Sequence, residues 1–353
     1  MRRRIMVWLC LTAIIGGSLA FLSSLLKPKY MGRIIEGALI GEYYEETTEH
    51  DVIFIGDCEV YENFSPITLW EEYGITSYIR GSAQQLIWQS YYLLEETLKY
   101  EKPRVVIFNV LSMKYDKPQK EAYNRMTLDG MKWSLSKVKD IQASMTEDEN
   151  FIEYVIPLLR YHSRWSELTK EDWKYLFHKD KVSHNGYYMR VDVKPAGTFP
   201  KEKKLGNYQF GDNAYEYLDK ITKLCKDNDI QLILIKAPSV YPSWYEQWDQ
   251  QMAEYARKNQ IRYINFLDLQ EETGIDFQTD TYDGGLHLNL SGAKKASEYL
   301  GKLLKEAYQL PDHREDERLA QVWKEKTDFY YQMKAEQEED LQKYGYIRKF
   351  HEE

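Results

Sequence analysis

The chain has 353 residues, a formal net charge of −9, a mean hydropathy of −0.63 and three cysteines. An acidic balance offers no basic face to nucleic-acid phosphates, and three cysteines are too few for a disulfide-stapled secreted fold. The length allows one large core or two small ones, whose stability must come from hydrophobic burial.

Arg2, Arg3 and Arg4 precede an uncharged apolar run, 5–26, that ends at Lys27-Pro28-Lys29. A bilayer core needs roughly 20 apolar residues in helical form, and a basic flank favours keeping that end in the cytoplasm. The run carries only Thr12, Ser18, Ser23 and Ser24 as polar interruptions, which do not make the polar stripe of a half-buried helix. A cleaved signal peptide is the alternative, because Ser18-Leu19-Ala20 has small residues at a signal-peptidase spacing. Phe21 to Leu26 extend the run past that cut and favour a retained anchor. No later run reaches spanning length, so residues 1–29 read as a cytoplasmic stub and a single transmembrane anchor, with the main domain extracytoplasmic.

A juxtamembrane helix is expected around 32–45, within residues 30–50. Over 51–310, β-rich apolar runs alternate with helical segments, the pattern of parallel βαβ units. Strands are expected at 51–56, 77–80, 104–110, 231–236 and 262–266. The near-continuous Val/Ile/Leu content of the first, third and fourth marks strands buried on both faces. Helices are expected at 66–73, 84–100, 213–228, 243–259 and 291–308, with Pro66 and Pro242 near N-termini and Ser291 as a cap. The architecture implied is a three-layer αβα sandwich around a parallel five-stranded sheet. Residues 112–208 interrupt it, with helices expected at 128–144, 150–161 and 170–177 and a loop-rich stretch at 179–206. A structureless loop of that length is rare in a compact domain, so this is a helical insertion, a subdomain or lid. Residues 311–353 are dense in mixed charge, with Leu319, Val322, Trp323, Phe329, Tyr330 and Met333 at helical spacing, and read as a surface-docked helix with a frayed end.

In a doubly wound sheet, ligands bind beyond the carboxyl ends of the strands, so the residues just after each strand are informative. After the first strand, Gly56-Asp57-Cys58-Glu59 presents a thiol on a tight turn, where a helix N-terminus would favour the thiolate. Taken alone, Cys58 is more often a small buried hydrophobe. A bridge to Cys225 is disfavoured, since Cys225 lies in the last turn of an expected helix. After the fifth strand comes Asp280 to Asn289, in which Asp283, a Gly284-Gly285 turn and His287 supply a base and a group to hold its tautomer. Of the seven histidines, His287 alone lies beyond a strand end with a close upstream carboxylate. After the second strand, Gly81 lets backbone N–H groups approach an oxyanion, and Ser82, Gln84 or Gln85 add side-chain donors; Asn109, at the end of the third strand, is a further donor. No paired His/Cys spacing suggests a metal, no glycine loop suggests a phosphate, and no cofactor is expected.

These blocks, in this order, resemble the SGNH/GDSL hydrolase superfamily. The likeness is greater to its membrane-anchored bacterial branch, related to alginate O-acetylation proteins and to the D-alanyl transfer protein of teichoic-acid modification. It covers 51–308. Phe54-Ile-Gly-Asp-Cys-Glu-Val-Tyr61 falls on the family's nucleophile turn with Cys58 at the serine position. Gly81 matches the glycine of the second block. Asp283 to His287 matches the final Asp-x-x-His block, followed by Leu-Asn-x-Ser-Gly at Leu288 to Gly292. The third block, Gly-x-Asn-Asp, is not evident, and Asn109 is a loose substitute. Cysteine replaces serine, and the acid stands four residues before the histidine instead of three, a difference the two glycines can absorb.

The resemblance implies an SGNH (flavodoxin-like) fold and an esterase or O-acyltransferase acting on acyl groups of cell-envelope polysaccharide or teichoic-acid-type polymers. Cys58 would be the nucleophile, His287 the base and Asp283 its orienter. A polytopic membrane acyltransferase would be the partner that supplies acyl groups. The competing expectation is a catalytically degraded SGNH-fold module that binds polymer or such a partner, because Asp57 and Glu59 beside the thiol would raise its pKa. Thirty tyrosines and nine tryptophans would suit sugar stacking, although aromatic residues mostly serve cores.

Overall fold

The computed structural model describes residues 1–28, 36–198 and 202–351. Each expected apolar run becomes a strand: β1 (Val52–Gly56), β2 (Ser77–Gly81), β3 (Val105–Asn109), β4 (Gln231–Lys236) and β5 (Arg262–Asn265). In chain order the helices are α1 (Arg2–Leu26), α2 (Glu36–Glu42), α3 (Cys58–Tyr61), α4 (Pro66–Tyr73), α5 (Ile87–Thr97), α6 (Glu121–Gly130), α7 (Leu135–Ser144) and α8 (Phe151–Val155). They continue with α9 (Leu158–Tyr161), α10 (Lys170–Phe177), α11 (Asp212–Asp227), α12 (Glu246–Asn259), α13 (Gln270–Thr273), α14 (Leu290–Tyr308) and α15 (Glu317–Tyr344).

The strands are all parallel, in the order β2-β1-β3-β4-β5, and the register brings Gly56 beside Gly81 at the carboxyl edge. Successive side chains point to opposite faces. Val52, Phe54, Val105, Ile107, Ile233 and Ile235 therefore enter one core, with α4, α14 and α15. Ile53, Ile55, Val106, Phe108, Leu232 and Leu234 enter the other, with α5, α11 and α12. This is the three-layer αβα arrangement. The order reverses between β1 and β3, so the crevice for a ligand opens where β1 ends. Cys58 packs against the first core and Cys225 lies in the second; the sheet separates them, and all three cysteines are free.

Several elements differ from the sequence-based expectation for local reasons. The helix expected at 128–144 is two helices, α6 and α7, because Ser134 starts the second by accepting a hydrogen bond from the Lys137 N–H at 3.1 Å. The segment 150–161 likewise splits into α8 and α9 at Pro157, whose missing N–H ends the helical ladder. The cap of α14 is Asn289, not Ser291: its side chain accepts from the Ser291 and Gly292 N–H groups at 3.1 and 3.2 Å. The stretch after α10 does not stand off as a free lid. The Asn185 carbonyl accepts from the Ile79 N–H at 2.9 Å and the Tyr188 N–H donates to the Tyr61 carbonyl at 2.7 Å, stitching it along β2 and α3. Residues 199–201 of the loop-rich stretch and 32–35 of the juxtamembrane helix lie outside the described residues.

The C-terminal helix is more than a surface addition. Trp323 on α15 is fully buried and stacks on Trp70 of α4 with ring centroids 5.0 Å apart. Gln337 clamps the strap, donating to the Met189 carbonyl at 3.1 Å and accepting from the Val191 N–H at 3.2 Å. The helix stays regular to a left-handed Gly345 instead of fraying. At the other terminus, α1 is long and apolar enough to cross a membrane, and its last turn is buried at Ser23, Leu25 and Leu26.

Candidate active site

The nucleophile turn depends on a glycine. Gly56 ends β1 with φ +151°, and a Cβ there would lie 2.5 Å from Val60 Cγ2 and 3.0 Å from Asn109 Cβ. The chain can therefore reverse sharply into α3, with Asp57 capping it through the Glu59 N–H at 3.2 Å. Cys58 is the first residue of α3 and partly buried. Glu59 turns inward. Its carboxylate meets the fully buried Lys236 ammonium at 2.9 and 3.0 Å, and that ammonium also donates to the Ala237 carbonyl at 2.7 Å. Asn109 completes the cluster, donating to Asp57 at 3.0 Å and to Glu59 at 3.1 Å while accepting from the Ala237 N–H at 3.1 Å. The ends of β1, β3 and β4 are thus tied together beneath the thiol.

The histidine arrives on a closed loop. Thr281 and Leu288 form an antiparallel bridge, and the Thr281 hydroxyl donates to the His287 carbonyl at 2.7 Å. Gly284 and Gly285 take φ +86° and +104°, a region open to glycine, and this bend absorbs the extra residue between acid and base. Asp283 consequently holds His287 twice: Oδ1 accepts from the backbone N–H at 2.9 Å and Oδ2 lies 2.6 Å from Nδ1. With Nδ1 so engaged, Nε2 is the ring nitrogen left to face the Cys58 thiol, and the two groups lie close enough to shift each other's pKa. Asn63 fixes the loop to the elbow, accepting from the Leu288 N–H at 2.8 Å and donating to Ser239 at 2.9 Å.

A second carboxylate faces the same imidazole. Glu62, one helical turn after Cys58 and buried, has Oε2 3.7 Å from His287 Nδ1 and accepts a hydrogen bond from Tyr282. The Tyr282 ring lies parallel to the His287 ring at 6.1 Å, and the Arg190 guanidinium covers its other side at 4.3 Å. Burial opposes protonation of His287, but Glu62, the thiol and Asp283 outweigh it and hold its pKa well above the ordinary value. The thiol goes the opposite way from the expectation of a dipole-activated cysteine. Burial pushes Cys58 up to about 11, with Asp57 and Glu62 adding to the rise and His287 opposing it. One helical turn supplies too little dipole to compete. Burial, then the charge of Glu59, also raises Asp57, to about 6.

The expected oxyanion donors divide into two groups. Gly81 lies against the elbow, where a Cβ would come within 3.1 Å of the Gly56 carbonyl and 3.3 Å of the Asp57 carbonyl. Gln84, in a left-handed conformation at φ +50°, is partly exposed. Ser82, Gln85 and Asn109, by contrast, are fully buried with their donors committed elsewhere: Ser82 to Gln85 at 3.1 Å, Gln85 to Ser90 at 3.0 Å and to the Arg80 carbonyl at 3.3 Å, and Asn109 to the two carboxylates. These three brace the turn and are not placed to meet a developing oxyanion. Among the described residues, no cluster of three or more His, Cys, Asp or Glu side chains is placed to hold a metal ion.

Sequence reasoning missed Glu62, Asn63, Tyr282, Arg190 and the Glu59–Lys236 pair. Glu62 alone left a signal, its spacing of four from Cys58 on a helical turn; the others come together only through the tertiary fold.

No protein-family model matches the chain, and no curated protein matches its sequence. Several solved structures are similar to it, among them two from Bacteroides species. A candidate acylhydrolase from Bacteroides fragilis is 13% identical, with 76% of this chain and 93% of that one covered and a TM-score of 0.36. A GDSL-like lipase from Bacteroides thetaiotaomicron is 13% identical, with 73% and 87% covered and a TM-score of 0.33.

Proposed function

We propose that this protein is an SGNH-like esterase or O-acyltransferase, anchored by α1 with its N-terminus cytoplasmic and its α/β domain outside, acting on acyl groups of cell-envelope polysaccharide or teichoic-acid-type polymers. The observation that carries the reading is His287 Nδ1 lying 2.6 Å from Asp283 at the switch point of the sheet, with the imidazole beside Cys58 at the start of α3. In the acyl-transfer step neutral His287 takes the Cys58 thiol proton at Nε2 as the sulfur attacks the ester carbonyl. The acyl group passes to sulfur as the C–O bond to the alcohol breaks; a proton returns to sulfur when the thioester is later cleaved. The alcohol leaves with a proton from His287 Nε2, which then takes a proton from the incoming hydroxyl or water that cleaves the thioester. A thiolate leaves more readily than an alkoxide, so an imidazolium ready to protonate the departing oxygen is what makes the forward direction feasible. Asp283 and Glu62 favour that protonated form. A polytopic membrane acyltransferase would supply the acyl groups.

The test is Cys58→Ala, which should abolish release or transfer of acetyl from acetylated envelope glycan while leaving thermal unfolding unchanged; unimpaired turnover would sink the reading. The raised thiol pKa favours a second reading, a catalytically degraded SGNH-fold module that binds the polymer or the acyltransferase. Cys58→Ser separates the two, since restored or increased esterase activity supports the enzyme and no response supports the module.

A further inference from the structure

Part of the insertion's exposed apolar surface gathers beside α1. Leu159, Trp165, Trp173 and Phe177 are 50%, 71%, 47% and 82% exposed, and all lie in the segment that packs on the end of α1. Single exposed hydrophobic residues are ordinary, whereas a group of large ones marks a surface with a partner. What identifies the partner is the position of the group along α1. Upstream of Ser23 that helix is bare, with Phe21 and Leu22 exposed, while Ser23, Leu25 and Leu26 are buried. Polar contacts begin at the same level: the Leu158 N–H donates to Ser23 at 3.3 Å, and the Arg164 guanidinium donates to the Leu26 carbonyl at 2.9 Å, capping the helix end. If α1 spans a bilayer, the headgroup boundary falls there. Trp173 has its ring centroid 6.4 Å from that of Phe21, so it stands beside the bare part of α1 and not beyond it.

The sequence chemistry of the segment agrees. Arg160, Arg164 and Lys174 pair with Glu121, Asp172 and Asp180, so the segment presents flat amphipathic tryptophan rings over a largely neutralised polar base, with Lys170 as a further cation, as suits the headgroup boundary. α10 places Trp173 and Phe177 four residues apart, on one helix face, as an interfacial helix requires.

We infer that the insertion from 158 to 177 is a membrane-seated collar, with Leu159, Trp165, Trp173 and Phe177 embedded at the acyl–headgroup boundary of the bilayer that α1 spans. The inference rests on the reading of α1 as a spanning anchor. It assigns Trp165 and Trp173 to lipid instead of sugar, and it fixes the domain's tilt, because a second contact beside the anchor prevents free rotation about the α1 junction.

Tryptophan fluorescence of the full chain in phosphatidylglycerol–phosphatidylethanolamine proteoliposomes, with and without brominated acyl chains, tests this. The wild type, W165F/W173F and W8F are compared, Trp8 being the reporter within α1. Both W8F and W165F/W173F should lower the bromolipid-quenchable signal, the double variant by the larger amount. If W8F lowers it and W165F/W173F does not, the anchor stands and the collar is overturned, leaving that face to a protein or glycan partner. If W8F leaves it unchanged, α1 is not in lipid and both readings fall.

Discussion

Two carboxylate clusters flank Cys58, and they are built on opposite plans. Beneath the elbow, Asp57 and Glu59 face a fully buried lysine and both amide hydrogens of Asn109, so their hydrogen bonds are made within the protein. In front of it, Asp283 and Glu62 converge on a single imidazole, and the Tyr282 hydroxyl also donates to Glu62. The first arrangement is closed and holds geometry. The second carries an excess of negative charge around a titratable ring beside a thiol, which is where chemistry would be expected. Position next to Cys58 therefore does not set the environment of a carboxylate; its partners do.

That contrast can be broken from either side. The largest effect is expected for Asp283→Asn, which keeps the shape of the loop but removes the acceptor that sets the His287 tautomer. Acyl transfer should fall by about 10⁴-fold, as for orienting carboxylates in other nucleophile–histidine sites, with the unfolding midpoint nearly unchanged. Next, Lys236→Met should cost roughly 3–5 kcal/mol in urea unfolding by stranding Glu59, and Glu59→Leu in the same chain should restore much of it. If both single and double variants are as stable as wild type, the lower cluster is not the brace described here. Asn63→Ala should cost about 1–3 kcal/mol by leaving the Leu288 N–H unpaired, and should also loosen the histidine loop, seen as faster amide exchange at Leu288.

The remaining two tests concern charge at the front. The Cys58 thiol is pushed up to about 11, so iodoacetamide labelling mapped to that residue should be slow at pH 7 and rise about tenfold per pH unit towards that value. A rate already at its plateau by pH 8 would show an activated thiolate instead. Glu62→Gln should give the smallest change, a few-fold acceleration of labelling at pH 8, because it removes a charge that raises the thiol pKa; slower labelling would mean that Glu62 acts mainly through His287.

Much of the fold was legible because strand content is a local property. The runs at 51–56, 104–110 and 231–236 are apolar almost throughout, and only a sheet covered on both faces can use such strands. The helix breaks in the insertion were visible at Ser134 and Pro157 but were overridden by apolar periodicity. The docked helix of the tail was legible from Trp323 and Tyr330 at helical spacing, but not the partner of Trp323, since Trp70 lies some 250 residues earlier in the chain.

By itself the sequence determined the class of fold, the apolar N-terminal helix and the three residues Cys58, Asp283 and His287, each marked by a short motif at a strand end. Only the tertiary structure decided which polar residues remain available. Ser82, Gln85 and Asn109 look like oxyanion donors in one dimension, but the turn after β1, the end of β2 and the start of α5 bring acceptors that take up their side-chain donors. Glu62 looks like a surface residue of a short helix and becomes the second carboxylate on the imidazole. Hydrogen-bond capacity and pKa depend on what surrounds a group in space, and residues 177 and 225 positions apart supply those surroundings here.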